Sequence, residues 1–355
     1  MAGVGFPYPD AIGEYARDVA EGLDAEVEWA WPVQEGVRLR DALARDRALR
    51  ALVPRDLRGW SALVHWSPVN LGYRGLPLAA SRLPAMLSAR GARVVTVLHE
   101  LTEEPPPPGL ARRARVVWQR RAVRTVARGS ARVVVTAEER LDLLSRDAPE
   151  AAERATVVPL WTLLPVVAPA PREAGGPPLL GMLGWNSHGC DPALVAGAVR
   201  LLRDAGTPAR VLLVGRPGRR SEPGERWAAA GARAGVTFEF TGELPPEEVS
   251  RTIGSVDVYL HVDATGALPR RVSFVTALAH GLPVVVLRDG VWRHLTPGTD
   301  GVVTDPTPGA VADTVGRLLR DDGERARVGG AARGTYERLL SREAGLRALA
   351  ELLWP

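Results

Sequence analysis

The chain has 355 residues, 46% hydrophobic and 24% charged, with a formal net charge of +4, the profile of an ordinary soluble globular protein able to bury a sizeable core. That length predicts two domains of roughly 150 to 180 residues each. No lysine occurs, and the arginines are mostly interleaved with Asp and Glu, which argues against a nucleic-acid partner, while a single cysteine, Cys190, excludes an internal disulfide framework and any cysteine-based metal cluster.

No basic segment followed by a long apolar core opens the chain, and no run reaches the ~18 apolar residues of a membrane span. A cytoplasmic protein is therefore expected. A short first strand is expected within Ala2 to Phe6, and Ile12, Tyr15, Ala16, Val19, Ala20 and Leu23 mark one face of a helix. Apolar, β-branched runs then follow at Arg93–Leu98, Arg132–Thr136, Thr156–Pro159, Leu179–Leu183, Arg210–Val214, Val256–Val262, Pro283–Leu287 and Gly301–Thr304. Their alternation with amphipathic helical stretches is the signature of parallel sheets with crossover helices. Within the first half Pro105 to Pro108 reads as a loop, since strands continue on both sides of it, and Asp191-Pro192 reads as a helix start with an acid N-cap. The arginine-rich stretch ending at Arg128 carries Val116, Val123 and Val126 at helical spacing. It reads as a solvated helix face rather than as a peripheral membrane or carrier-protein contact. The Pro/Gly/Ala-rich stretch from Pro165 to Pro178 breaks both periodicities and predicts an interdomain linker.

The segment Val256 to Leu287 carries the chemistry: strand, small-residue loop, helix rising from Arg270-Arg271, and strand again after Gly281. A helix N-terminus presents free backbone N–H groups and the positive end of the helix dipole. Gly266 would let backbone approach a ligand closely, and two arginines add fixed charge, a combination suited to a diphosphate.

With these pieces in order, the C-terminal half resembles the donor-binding domain of GT-B glycosyltransferases of the large retaining group called family 4. The matching segments are LLGMLGWNSHGCD from Leu179, VLLVG from Val211, TGELP from Thr241, Asp257 to Val262, and ALAHGLPVV from Ala277. The N-terminal half is similar to the acceptor domain of a bacterial subset. There Tyr8-Pro9 through Tyr15 matches a first loop, His65 through Gly72-Tyr73 to Pro77 a following loop, and VTVLHEL from Val95 a strand ending in His99-Glu100. The resemblance implies an α/β GT-B fold: two Rossmann-like domains facing each other across a cleft. The expected division is an acceptor-binding domain over residues 1–165, a linker over 166–178, a nucleotide-sugar domain over 179–340, and a C-terminal helix over 341–355 that packs back on the first domain.

It also implies a nucleoside-diphosphate sugar donor, a UDP-sugar by default, a small-molecule or carrier-linked acceptor, and no metal or cofactor. Arg270, Arg271, the amides of Val272 and Ser273, and Gly266 would hold the diphosphate; Asn186, Ser187 and His188 would form the donor loop. Gly242, Glu243, Leu244 and Thr276 would line the nucleotide. His99 would contact the reacting sugar with Glu100 beside it, and Gly13, Tyr15, His65, Trp66 and Tyr73 would face the acceptor. The sequence departs from the family pattern at the first C-domain loop, where His188 stands for the usual Lys and the preceding Arg is replaced within Trp185-Asn186-Ser187. It departs again at the N-terminal glycine pair, which reads Asp10-Ala11, and at the two glutamates usually found eight residues apart, which fall at Leu268 and Thr276. The missing glutamates keep three alternatives open, namely a pseudo-glycosyltransferase, a nucleotide-sugar epimerase and a catalytically silent GT-B partner.

Overall fold

The structure, a computed structural model, describes residues 2–4, 11–23, 28–30, 53–68, 80–102, 109–171, 175–187, 189–215, 222–264 and 266–355. Two compact units emerge, the first formed by Met1–Pro159 with Gly345–Pro355 and the second by Leu160–Ala344.

In the first unit, β1 (Ala2–Val4), α1 (Ala11–Gly22), β2 (Glu28–Ala30), β3 (Ser61–Trp66), α2 (Leu83–Ala89) and β4 (Arg93–Leu98) follow in order. They lead to α3 (Leu110–Arg128), β5 (Arg132–Val135), α4 (Glu138–Asp147), α5 (Pro149–Ala152) and β6 (Ala155–Val157). The strands make one parallel sheet in the order β2-β1-β3-β4-β5-β6. Strand side chains alternate between faces. Ala62, Val64 and Trp66 of β3 therefore join Val94 and Leu98 of β4 in one core with Leu87, Val123 and Val126 of the helices. Leu63 and His65 point to the other face, where Tyr15 of α1 packs edge-on against the His65 ring.

The second unit contains β7 (Leu179–Leu183), α6 (Pro192–Asp204), β8 (Arg210–Val214), α7 (Glu222–Ala234), β9 (Phe238–Phe240), α8 (Pro246–Gly254) and β10 (Val258–His261). After them come α9 (Val272–Ala279), β11 (Val284–Leu287), β12 (Val302–Thr304), α10 (Pro308–Arg320) and α11 (Asp322–Leu339); α12 (Arg342–Leu353) follows and belongs, from Gly345 on, to the first unit. The second unit's sheet is also parallel, in the order β12-β11-β10-β7-β8-β9. Both faces are covered. Val258, Leu260 and Val285 pack with Val195, Val199 and Leu318 on one side, and Tyr259, Val284 and Val286 with Phe274, Val275 and Leu278 on the other. Burial on both faces is why these strands read as continuous apolar runs rather than as alternating ones. The expected cap of α6 forms, with the Asp191 carboxylate accepting from the Ala193 amide at 2.9 Å.

Strands expected at Arg93–Leu98, Leu179–Leu183 and Arg210–Val214 form with those bounds, whereas the run at Val256–Val262 narrows to Val258–His261. Strand β3 was expected as the start of a loop and is instead a full strand paired along its length with β4. The chain passes from the first unit to the second at Pro159–Leu160, ahead of the expected linker. Part of that Pro-rich stretch is bonded to α8, Val167 N donating to Ser250 Oγ at 3.1 Å and Ala170 N to Arg251 O at 3.0 Å. At the other end, α12 closes on the first unit: the Leu353 carbonyl accepts from Ser61 Oγ at 2.8 Å and the Leu352 carbonyl from Arg93 Nε at 3.1 Å.

Helix α11 crosses the turn after α9 at glycines, and a Cβ on Gly329 would meet the Gly281 carbonyl oxygen at 2.1 Å. Backbone cannot yield as a side chain does, so Gly329→Ala is expected to cost about 1–3 kcal/mol of stability. Thermal denaturation reads this directly. An unchanged midpoint would show that α11 can retreat without loss.

Candidate functional site

Open parallel sheets bind ligands beyond the carboxyl ends of their strands, where the strand order reverses. In the second unit that point lies between β7 and β10. Their pairing ends at Val258↔Leu180 and Tyr259↔Gly181, while β7 continues alongside β8 to Leu183. The parting strands would strand the main-chain groups of Leu183. The Tyr259 hydroxyl serves both, accepting from Leu183 N at 3.2 Å and donating to Leu183 O at 3.1 Å. Burial raises its pKa, and Ser273 of α9 is a further hydrogen-bond partner. Gly184 follows with φ of 73°, and a Cβ there would meet Ser273 Oγ at 3.1 Å. The end of β7 and the start of α9 are thus in contact.

Two loops flank this point. The first runs from Gly184 to Cys190. Trp185 plugs it from below, fully buried, donating from Nε1 to Val214 O at 3.2 Å. Asn186 is left exposed and Ser187 half-buried, with Ser187 N donating to Gly184 O at 3.0 Å in a tight turn. The second loop leaves β10 through buried His261 and Asp263. It joins the first through a bridge between Cys190 and Asp263 and a bond from Ala264 N to Gly189 O at 2.9 Å. His261 Nε2 donates to the Gly266 carbonyl at 3.3 Å. Burial pushes His261 down to about 4 and the Cys190 thiol up to about 12, and the charges of Asp263 and Arg271 act on both groups. Arg271 therefore lies beside the junction of the two loops.

Arg271 is also the N-cap of α9, in extended conformation and without a side-chain cap bond. Its carbonyl receives the amides of Phe274 and Val275 at 2.9 and 3.1 Å. The amides of Val272 and Ser273 find no acceptor among the described residues, and Arg270 and Arg271 are both half-buried beside them. A third loop approaches from β9, with Thr241 Oγ1 accepting from Gly215 N at 3.0 Å and Gly215 bridged to Gly242. Gly242 is half-buried, Glu243 exposed, and Leu244 packs against the core.

The first unit reverses its strand order between β1 and β3. At the carboxyl ends of β3 and β4, His65 and His99 come together, His65 Nδ1 to His99 Nε2 at 2.9 Å. The register pairs His65 with Val97, so His99, two residues on, falls on the same face as a diagonal neighbour. The two rings lie nearly coplanar, 24° apart with centroids 5.2 Å from one another, as an in-plane hydrogen bond requires, and Tyr15 meets both edge-on at 5.8 Å. Burial pushes His65 down to about 3; burial, His65 and Arg140 together hold His99 well below the ordinary histidine value. Glu100 accepts from Ser67 Oγ at 2.8 Å. Gly13, two residues before Tyr15 on α1, is buried.

Two site expectations need correction. Trp66 offers no face to an acceptor, because it alternates with His65 and lies fully buried in the core. Thr276 is sealed as well, bonded through Oγ1 to Thr162 Oγ1 at 2.9 Å, so its position on α9 faces packing rather than a nucleotide. Gly266 has φ of 98°, and a Cβ there would meet the Gly290 carbonyl oxygen at 2.6 Å, so backbone packing by itself requires glycine at this position. Tyr73 and His188 lie outside the described residues. Tyr259, His261 and Asp263 were not anticipated, since each sits in or next to an apolar run that reads as plain strand.

With the geometry in place, the comparisons are direct. Residues 179–321 match the family model described as glycosyl transferases group 1. That similarity covers less than half of the chain and lies within the second unit. Over its whole length the chain has the GT-B fold. Anabaena Alr3699/HepE, solved with UDP and glucose, superposes with a TM-score of 0.71 at 13% identity, covering 99% of this chain and 98% of that one. Sucrose-phosphate synthase from Thermosynechococcus elongatus gives 0.71 at 15%, covering 99% and 97%. WaaG, a glycosyltransferase of lipopolysaccharide biosynthesis, gives 0.65 at 14%, covering 99% of each chain. No curated protein matches the sequence at a significant level. The matched residues 179–321 contain the two loops at the β7/β10 switch point, the β9 loop and α9. Among the described residues no helix is long and apolar enough to cross a membrane, and no three His, Cys, Asp or Glu side chains converge as a metal site requires.

Two tests follow from this geometry. Tyr259→Phe removes the partner of both Leu183 main-chain groups, and a buried amide left unpaired costs about 1–3 kcal/mol; the melting temperature should fall accordingly, and a wild-type value would remove the hydroxyl from its bridging role. The second concerns pH. His65 and His261 bind protons near pH 6.5 when unfolded but only near 3 and 4 when folded. Stability from their neutral forms is complete above about 6.5 and is lost as pH falls through that window, by about 2–3 kcal/mol each at pH 4.5. Denaturant titrations should show the loss, with a shallower slope for His261→Gln, and a profile flat from pH 7 to 5 would contradict it.

Proposed function

We propose that the chain transfers a glycosyl group from a nucleoside-diphosphate sugar, a UDP-sugar by default, to a small-molecule or carrier-linked acceptor, with retention and without a metal ion. One observation supports this above the rest: free helix amides and two arginines meet at the switch point within the residues that match the group 1 family model. The costly charge in glycosyl transfer is the departing diphosphate, and preorganised donors aimed at it stabilise the transition state without reorganising. The amides of Val272 and Ser273 would supply two such donors. Adjacent arginines point apart, so one of Arg270 and Arg271 would reach the phosphates. Asn186 and Ser187 would close the donor loop, and Gly242 with Glu243 and Leu244 would border the nucleotide through backbone groups. The comparisons with HepE bear on the donor through the UDP and UDP-glucose solved with that protein.

In the first unit His99 would contact the transferring sugar, with Glu100 held by Ser67 beside it. Neutral at physiological pH, the His99 ring offers a hydrogen bond rather than a charge. A second reading, a catalytically silent partner, is favoured by the burial of Thr276 and by the leucine at 268, which leave both glutamate positions of the family without an acid.

A thermal-shift panel of nucleotides and nucleotide sugars separates the readings. A ligand at a hundredfold its Kd stabilises by about 2.7 kcal/mol, so the cognate nucleotide should stand out, and silence across the panel would favour the partner reading. A charge-assisted hydrogen bond contributes about 1.5–3 kcal/mol, so Arg270→Ala or Arg271→Ala should weaken donor binding or turnover by roughly ten- to a hundredfold. Activity should persist in chelator, and the product should keep the donor's anomeric configuration by NMR. Wild-type behaviour of both single variants and the double variant would place the phosphates elsewhere.

A further inference from the structure

We infer that His65 is a positioning residue that fixes His99 as the Nδ1–H tautomer, making it a hydrogen-bond donor to an oxygen of the bound sugar rather than a base toward the acceptor. The catalytic meaning rests on the proposed contact of His99 with the sugar; the tautomer itself rests on geometry alone.

Two neutral imidazoles joined by one hydrogen bond have two proton arrangements. In the first, His65 Nδ1–H donates to the lone pair of His99 Nε2, and the proton of His99 sits on Nδ1. In the second, His99 Nε2–H donates to His65 Nδ1, and His65 must carry its proton on Nε2. That atom decides the matter, because His65 Nε2 is sealed from solvent and has no hydrogen-bond partner among the described residues. The second arrangement buries an orphaned N–H donor, whereas the first leaves only an unused lone pair. Orphaned buried donors are the rarer defect, and a buried donor left unsatisfied bears its full desolvation penalty. The first arrangement is therefore selected.

The surroundings keep it in place. Both rings are nearly fully buried, His65 at 4% and His99 at 5% exposure, so a cation on either is disfavoured. Tyr15 stands edge-on to each ring at interplanar angles of 73° and 83°, which resists the rotation that would exchange the ring nitrogens. Nδ1 of His99 has no hydrogen-bond partner among the described residues. A donor held ready on a ring whose other nitrogen is occupied can serve a ligand oxygen and cannot accept a proton from an attacking hydroxyl.

The test begins with the wild-type protein and needs no variant to fold. Nitrogen-15 NMR of the imidazoles distinguishes the tautomers, and six histidines make assignment by single substitution feasible. The expected result is a protonated Nδ1 and bare Nε2 on both His65 and His99; a protonated Nε2 on His99 would overturn the inference. His65→Leu should release His99 toward the other tautomer and lower turnover by about tenfold, the worth of one hydrogen bond, with nucleotide affinity changed less than about twofold. His65→Asn, whose amide N–H can replace the Nδ1 donor, should restore both tautomer and turnover. Unchanged turnover in folded His65→Leu, where His99→Ala is inactive, would overturn the positioning role. Full turnover in His99→Ala would instead sink the sugar contact, with the NMR result still deciding the tautomer.

Discussion

A phenol at the point where two strands part governs the second unit. Strands β7 and β10 must separate at their carboxyl ends to leave room for loops, yet separation abandons main-chain groups that the sheet would otherwise pair. Tyr259 resolves the conflict by offering one hydroxyl to both groups of Leu183 and to Ser273 on the next helix. The opening is thereby fixed in width without a gap in hydrogen bonding. Everything assigned to the donor, from the Gly184 turn to the amides at the start of α9, is built outward from that bond.

The first unit solves its own version of the problem with histidines instead of a tyrosine. Where β3 and β4 end, the side chains on the α1 face are polar but water is excluded, so they satisfy one another. Such a pair is rigid because each ring's options are consumed by its neighbour. Rigidity of this kind suits a group that must present one hydrogen with one direction, and it keeps the ring uncharged over the physiological range.

Much of this was legible in the chain and some was not. Runs such as Arg93–Leu98 and Leu179–Leu183 announced buried parallel strands because both faces are apolar, and Asp191-Pro192 announced α6 because capping is local chemistry. The helix N-terminus after Arg270-Arg271 was legible for the same reason. Strand β3 was obscured by its own ending, since His65 and Trp66 look like site residues and drew the reading toward a loop; only the pairing with β4 shows that one faces Tyr15 and the other the core. The burial of Thr276 against Thr162 was invisible because it depends on a segment 114 residues away. Tyr259 was hidden by its apolar neighbours, as an aromatic in such a run is ordinarily packing.

The division of the chain has a consequence for its biogenesis. Because residues 345–355 complete the first unit while 160–344 form the second, the second is an insertion within the first, and the two are joined by a pair of crossings instead of one. Domains generally fold as they leave the ribosome, N-terminal ones first. Here the order is reversed in part: the inserted unit can finish while the first still lacks the helix whose carbonyls receive Ser61 and Arg93. Residues 345–355 therefore latch onto the earliest-made half only after the whole second unit has been synthesised.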